Sequence, residues 1–265
     1  MEKDIPLKTS LEVGYLRRSC QLAGETLRAL GAVMEPGITT REINRFCEEH
    51  ISRARGGRAL KGYRGYPAGV CTSVNQVACH GLPSDAVLRS GDLVTVDVTV
   101  ELDGWYGDSA WTFLVGEGAQ DARRLLKASW QATMAGIRAA RAGSRLGDIG
   151  LAIETTARRY GCRVLEQFVG HGIGQEIHEE PMVLPTGEAD TGQPVVPGMV
   201  FTVEPILTLG DGTTKLLDDG WSIVSGDGGL CAQFEHTVAI FGQRTEILTF
   251  PWGGEELTGE FPPYY

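Results

Sequence analysis

Two short stretches of this chain repeat one another, and each ends on a carboxylate that an apolar strand should not contain. Residues 91–97 read GDLVTVD and residues 198–204 read GMVFTVE, so Gly91 aligns with Gly198, Thr95 with Thr202, Val96 with Val203 and Asp97 with Glu204. Alternating β-branched residues predict strands in both places. An isolated carboxylate in such a strand costs several kcal/mol unless something pairs with it. An acid at the same place in each copy points to a duplicated fold, with one acid from each half meeting near a pseudo-twofold axis. The helical segments echo too: Gly37, Glu42 and Ile43 against Gly143, Asp148 and Ile149.

The rest of the chain fits this frame. Leu16, Cys20, Ala23, Leu27 and Leu30 fall at helical spacing over 11–31, closing near Gly31. A second helix is predicted after Gly37, capped by Thr39 or Thr40 and carrying Ile43, Phe46 and Ile51. Residues 55–69 read as a loop, and strands are expected near 70–75, 92–101 and 106–115. Helices are predicted at 121–141 and 146–160, with strands and Gly- and Pro-rich connections from 163 onward. The expected fold class is α+β: two αα-β-hairpin halves, about 11–117 and 121–249, around a shared antiparallel sheet. Residues 1–249 form one domain in this reading, and 250–265 (FPWGGEELTGEFPPYY) form a tail.

The first copy continues into VDVTVELDGWYGDSAW, a predicted hairpin turning at Leu102, Asp103 and Gly104. With the turn centred near Leu102 and Asp103, Asp97 and Asp108 face each other across the strands. Like charges directly opposite destabilise a sheet, so something must hold them together. Two further groups stand in apolar context: Glu235 in CAQFEHTVAI, and His171 between glycines in QFVGHGIGQEIHEEP. Four carboxylates and one imidazole at one place need cations to balance them. Mn, Fe(II), Co or Zn suit such a donor set better than Ca.

Composition narrows the alternatives. The formal net charge of −10 argues against a nucleic-acid binder, which needs a basic face. No apolar run is long enough to span a membrane, and the start, MEKDIPLKTSLEVGYL, does not read as a signal peptide. Six scattered cysteines (20, 47, 71, 79, 162 and 231) without a CxxC pair suit reduced thiols in the cytoplasm.

Five segments, GYRGYPAGVCTSVNQVACHGLP, DVTVELDGWYGDSAWTF, VGHGIGQEIHEEP, FTVEPI and GWSIVSGDGGLCAQFEHTVAI, together resemble the type I methionine aminopeptidases of the pita-bread fold, over roughly Ile5 to Thr249. The resemblance implies a curved antiparallel sheet with the active site at its centre. It also implies two divalent metal ions: Asp97 chelates one, Asp108 and Glu235 bridge both, and His171 and Glu204 complete the shell of the other. The implied activity is hydrolytic removal of the initiator methionine from nascent chains with a small second residue. In it a metal-activated bridging hydroxide attacks the scissile carbonyl, with Glu204 as general base. His178 is then expected to donate to the developing oxyanion, and His80 to contact the peptide beyond the cleaved bond. His50, on a helix, and His236, on the strand face opposite Glu235, read as structural.

The resemblance also assigns a methionine pocket to Tyr63, Tyr66, Cys71 and Trp221. Ile177 stands where the family commonly has Phe, and Leu60 where it commonly has Cys. Both replacements stay apolar, so a thioether should still fit. A monovalent cation is expected near Asn75, Val77 and Cys231, where a thiol replaces a family hydroxyl and leaves backbone carbonyls as the ligands. The expected partners are nascent polypeptide N-termini, close to the ribosome, for a cytoplasmic monomer.

Two rivals share the fold. Proline-specific aminopeptidases and dipeptidases usually carry an extra N-terminal domain and further His ligands, and about ten residues precede the first helix here. A binding protein that had lost its metals would lack one or more of the five ligands, all of which are present. The type II branch carries a helical insertion for which the His171–Glu204 spacing leaves no room.

Overall fold

A computed structural model describes residues 4–250. The first half runs α1 (Ser10–Gly31), α2 (Thr40–Arg53), β1 (Gly57–Arg58), β2 (Cys71–Val74), β3 (Val77–Cys79), β4 (Leu93–Leu102) and β5 (Trp105–Leu114). The second runs α3 (Gln120–Ala139), α4 (Leu146–Arg159), β6 (Arg163–Val164), β7 (Gly170–Gly172), β8 (Glu179–Val183), β9 (Val200–Val203) and β10 (Ile206–Thr208). It continues through β11 (Thr214–Leu216), β12 (Ile223–Ser225), β13 (Cys231–Gln233), β14 (His236–Ile240) and β15 (Thr245–Ile247). This is the α+β architecture expected from the repeat. The expected C-terminal tail lies, beyond Phe250, outside the described residues.

The first two helices begin where a side chain can satisfy the free N–H groups of a first turn. Thr9 and Thr39 each cap a helix in a reciprocal box, with Glu12 and Glu42 reaching back to the cap backbone. The apolar positions expected on α1 and α2, Leu16, Cys20, Ala23, Leu27, Leu30, Ile43 and Ile51, are buried, and Phe46 is half-buried. The sheets pack against the helices around Trp111, Phe113, Phe201 and Phe234.

All strand pairings are antiparallel. One principal sheet gathers β1, β4, β2 and β5, and the other follows the order β15-β14-β9-β7-β8. The β4–β5 hairpin pairs Leu102 with Trp105, leaving Asp103 and Gly104 as a two-residue turn with φ of 54° and 80°. Positive φ at both positions is what an Asp-Gly hairpin turn requires. This centre corrects the expected register. Asp97 pairs with Ala110 and Thr99 with Asp108, so the two acids are diagonal neighbours on one face and not direct partners. In the second half the strands matching this hairpin, β9 and β14, pair through His236 with Val203 and Thr237 with Thr202. Their connection is no tight turn: it holds β10 to β13.

The halves are stitched along a seam. Trp111 forms a bridge with Phe234, and the Glu235 N–H donates to the Ala110 carbonyl at 2.9 Å. Hydroxyls cross from both sides: Ser109 to the Glu235 carbonyl, Thr112 to the Gln233 carbonyl and Thr237 to the Asp108 carbonyl, at 2.7–2.8 Å.

Candidate metal centre

The seam brings the five predicted residues together. Asp97 lies on β4, Asp108 on β5, His171 on β7, Glu204 just past β9, and Glu235 between β13 and β14. Ligand-capable atoms of Asp108, His171 and Glu235 all lie within 4.8 Å of one another. The His171 Nε2 is 3.5 Å from Glu204 Oε1 and 3.9 Å from Asp108 Oδ2. Asp97 abuts Asp108 and carries a buried Oδ1 with no hydrogen-bond partner.

The glycines around His171 are needed for space. A Cβ on Gly170 would come within 2.4 Å of the Thr202 carbonyl, and one on Gly172 within 2.0 Å of the Glu180 carbonyl. Those close approaches let the His171 N–H donate to the Thr202 hydroxyl at 2.9 Å. The Nδ1 atom sits 3.0 Å from the Gly172 carbonyl, which can only accept, so the ring proton stays there. The Nε2 lone pair is left facing the acids, the orientation a metal-binding imidazole needs.

The electrostatics ask for positive charge. Burial first, and then Asp108 and Glu204, push the Asp97 carboxyl well above the usual range. Glu235 is raised in the same way, by burial and then by Asp108, Glu204 and Asp97. Burial also raises Asp108, against the opposing pull of His171 and the Thr99 hydroxyl. Glu204 is pushed up to about 7, again chiefly by burial, with His171 and Thr202 working the other way. A buried carboxylate group this crowded is stabilised as anions only by cations. The unpartnered Asp97 oxygen is therefore an available ligand, and the donor set fits divalent ions.

Tyr63, His178 and His80 stand around the rim. The Tyr63 hydroxyl is 2.8 Å from His178 Nδ1, and the two rings stack at 5.5 Å. The His178 ring lies 4.2 Å from that of His171. Desolvation, then the neighbouring His171, Arg64 and His80, push the His178 pKa down to about 3, so it is neutral near pH 7. His80, in a left-handed backbone conformation at φ 54°, is lowered by desolvation.

The predicted pocket residues have these surroundings. Tyr66 is buried, donates to the Gly81 carbonyl at 2.9 Å and meets Trp221 edge-on at 5.1 Å. Cys71 is the strand partner of Asp97. Ile177 is buried beside His178, and Leu60 is half-buried, its carbonyl accepting from the Tyr63 N–H at 3.0 Å. His50 stacks on Phe46, and His236 turns away from the site to Thr249 and Phe250.

Sequence reasoning did not single out Thr202, Gln233 or Thr99. The Thr202 hydroxyl donates to Glu204 Oε1 at 2.6 Å, and the Gln233 amide to the Glu204 carbonyl at 3.3 Å and carboxylate at 3.4 Å. Thr99 donates to Asp108 Oδ1 at 2.9 Å. The repeat held one signal: Thr202 and Thr95 share a register, two residues before the acid.

A model of metallopeptidase family M24 matches residues 14–241. The chain belongs to metallopeptidase family M24. Among M24 relatives, the methionine aminopeptidase of Rickettsia prowazekii is 39% identical over 261 residues, covering 98% of this chain and 99% of the relative. Methionine aminopeptidase A of Synechocystis is 42% identical over 250 residues, covering 94% of this chain and 99% of its own. The crystal structure of the Rickettsia prowazekii enzyme superposes with a TM-score of 0.92 at 40% identity, over 93% of this chain and 100% of that one. That of Thermotoga maritima gives 0.91 at 36% identity, over 93% and 99%. Within M24, then, the chain falls with the methionine aminopeptidases. Prolidase from Pyrococcus furiosus shares only the M24 fold, with a TM-score of 0.73 at 21% identity.

Proposed function

We propose that the protein removes the N-terminal methionine from nascent polypeptides whose second residue is small, using two divalent ions. One observation carries the reading: Asp97, Asp108, His171, Glu204 and Glu235 converge at a buried point where Asp97 Oδ1 has no partner. Asp97, Asp108 and Glu235 would hold one ion, and Asp108, His171, Glu204 and Glu235 the other. Bound cations of this kind supply an acidified water and polarise a carbonyl.

The chain's own groups do the remaining work. Glu204, held by the Thr202 hydroxyl at 2.6 Å, accepts a proton from the attacking water and returns it to the leaving amine. With Nδ1 accepting a hydrogen bond from the Tyr63 hydroxyl 2.8 Å away, His178 keeps its proton on Nε2 and donates that hydrogen bond to the carbonyl oxygen as charge develops there. His80 contacts the peptide beyond the cleaved bond. Tyr63, Tyr66, Cys71 and Trp221 enclose the methionine side chain, with Leu60 and Ile177 as apolar walls. Backbone carbonyls of Asn75, Val77 and Cys231 would hold a monovalent cation. The Cys231 thiol, pushed up to about 11 mainly by burial, stays neutral and is no ligand for it.

The reading places the protein, as a monomer, in the cytoplasm near the ribosome exit. Among the described residues no helix is long and apolar enough to cross a membrane.

The test is hydrolysis of Met-Ala-Ser, Met-Leu-Ser and Pro-Ala-Ser by metal-stripped protein with Co, Mn, Fe(II) or Zn added back. Metal-dependent release of Met from Met-Ala-Ser alone is the expected result, lost in Glu204→Gln. Folded protein inactive with every metal would sink the proposal and favour a binding role.

A further inference from the structure

Outside the carboxylate centre, Lys8 and Glu179 form an ion pair that is almost wholly enclosed. Lys8 Nζ lies 2.5 Å from Glu179 Oε2, and the two side chains are 7% and 12% exposed. The other carboxylate oxygen, Oε1, accepts from the backbone N–H of Gln175 at 3.0 Å and of Glu176 at 3.3 Å. The pair leaves no room beside Gly174, where a Cβ would come within 2.4 Å of Glu179 Oε1 and 2.6 Å of Lys8 Nζ. Lys8 is also tied by its backbone, donating to the Gly198 carbonyl at 2.7 Å just before β9.

This arrangement has a job to do. The segment from Gly174 to His178 joins β7 to β8 and is neither helix nor strand. Its internal backbone bonding is sparse, with the Gly174 N–H reaching the Glu176 carbonyl at 3.1 Å. Glu179 supplies acceptors for two of its N–H groups, and Lys8 balances the charge. His178 is the residue next to Glu179. A buried pair is weak evidence of net stabilisation, because desolvation offsets much of its attraction. Its value here is geometric: it fixes a loop.

We propose that Lys8 and Glu179 are positioning residues for His178, and that the segment before α1 is thereby part of the catalytic apparatus. The pair holds the His178 ring where Nδ1 meets Tyr63 and the ring lies 4.2 Å from that of His171. The inference rests on the reading of His178 as the hydrogen-bond donor to the substrate carbonyl.

The experiment is a double-mutant cycle on the metal-loaded enzyme with Met-Ala-Ser, comparing Lys8→Met, His178→Ala and both together. Thermal unfolding and calorimetric Mn binding are measured for each variant. Lys8→Met should lower kcat roughly tenfold to a hundredfold, as a misplaced catalytic group does. KM and the number of Mn ions bound should stay unchanged, and Lys8→Arg should restore kcat to within about twofold, because it keeps the charge-assisted bond. In the His178→Ala background Lys8→Met should have no further effect. An equal loss in both backgrounds, or a folded Lys8→Met enzyme with full kcat, would overturn the proposal. If His178→Ala alone leaves kcat intact, the reading of His178 fails, and this inference goes with it. Should Lys8→Met not fold, the paired Lys8→Met/Glu179→Leu variant removes the unpaired charge and carries the same cycle.

Discussion

The hydroxyl of Thr202 lies 2.6 Å from Oε1 of Glu204 while accepting the backbone N–H of His171 at 2.9 Å. One side chain thus sets both the proposed base and a proposed ligand. Thr202→Val should leave the His171 N–H buried and unpaired, at about 1–3 kcal/mol of stability. Loss of an outer-shell partner of this kind should also weaken metal binding roughly 10–100-fold. Thr95, its counterpart in the repeat, has its hydroxyl on that of Thr112 at 2.8 Å and not on a carboxylate or on the N–H of a proposed ligand. Thr95→Val should therefore lower stability without changing metal affinity. Calorimetric Mn titrations of the two variants check the contrast.

Metal-free protein should lose thermal stability as pH rises from about 6.5 to 8. The Asp97, Asp108, Glu204 and Glu235 carboxyls all have raised folded-state pKa values, with Glu204 near 7. Groups raised in this way favour the folded state while protonated and disfavour it as pH passes through the folded value. The lowered histidines His80, His178 and His236 act with the opposite sign, but only below the unfolded imidazole value of about 6.5. Above it the acids act alone. Saturating Mn should flatten or reverse the slope, because cations compete with protons for the same oxygens. A pH-independent melting temperature across that window in stripped protein would refute the assignment.

Removing the Tyr63 hydroxyl should matter less than removing the imidazole it contacts. His178→Ala should lower kcat by about 10²-fold or more, as loss of an oxyanion donor does. Tyr63→Phe leaves the stacked ring and the donor in place but frees its tautomer, so a fall of roughly tenfold is expected, within the span seen for outer-shell partners. Steady-state kinetics on Met-Ala-Ser separate these outcomes, and equal losses would argue that Tyr63 acts directly on substrate.

Gly172→Ala should impair folding more than chemistry. The added Cβ would sit 2.0 Å from the Glu180 carbonyl, a backbone atom that cannot swing aside. Overpacking at such a site typically costs about 1–3 kcal/mol. Denaturant titration should show that loss. A variant as stable as the parent would mean β8 can move away from β7.

Much of this was legible in the residues alone. The repeat in GDLVTVD and GMVFTVE located two of the five converging acids and ligands, and Thr39, one of the two caps expected for the second helix, does cap it. The hairpin register was misread by the placement of one turn residue. Alternation fixes which face a side chain occupies, and that part held, since Asp97 and Asp108 do share a face. Only the turn fixes which residues are opposite. Gln233 and the Lys8–Glu179 pair escaped notice because their partners are far away in sequence, as is the His171 N–H that the Thr202 hydroxyl accepts. No local pattern announces that a lysine before the first helix will meet a glutamate on β8.

The seam at Ala110 and Glu235 bears on how substrate gets in. Many enzymes whose sites lie between two lobes open and shut like a jaw, and that motion often limits turnover. Here the lobes are joined through the middle of the site by a backbone hydrogen bond and by hydroxyls from Ser109, Thr112 and Thr237. A jaw cannot be hinged on its own teeth. On the proposed reading, closing the lobes like a jaw would strain these bonds, so a peptide end would enter a pre-formed cleft past Tyr63, His80 and His178.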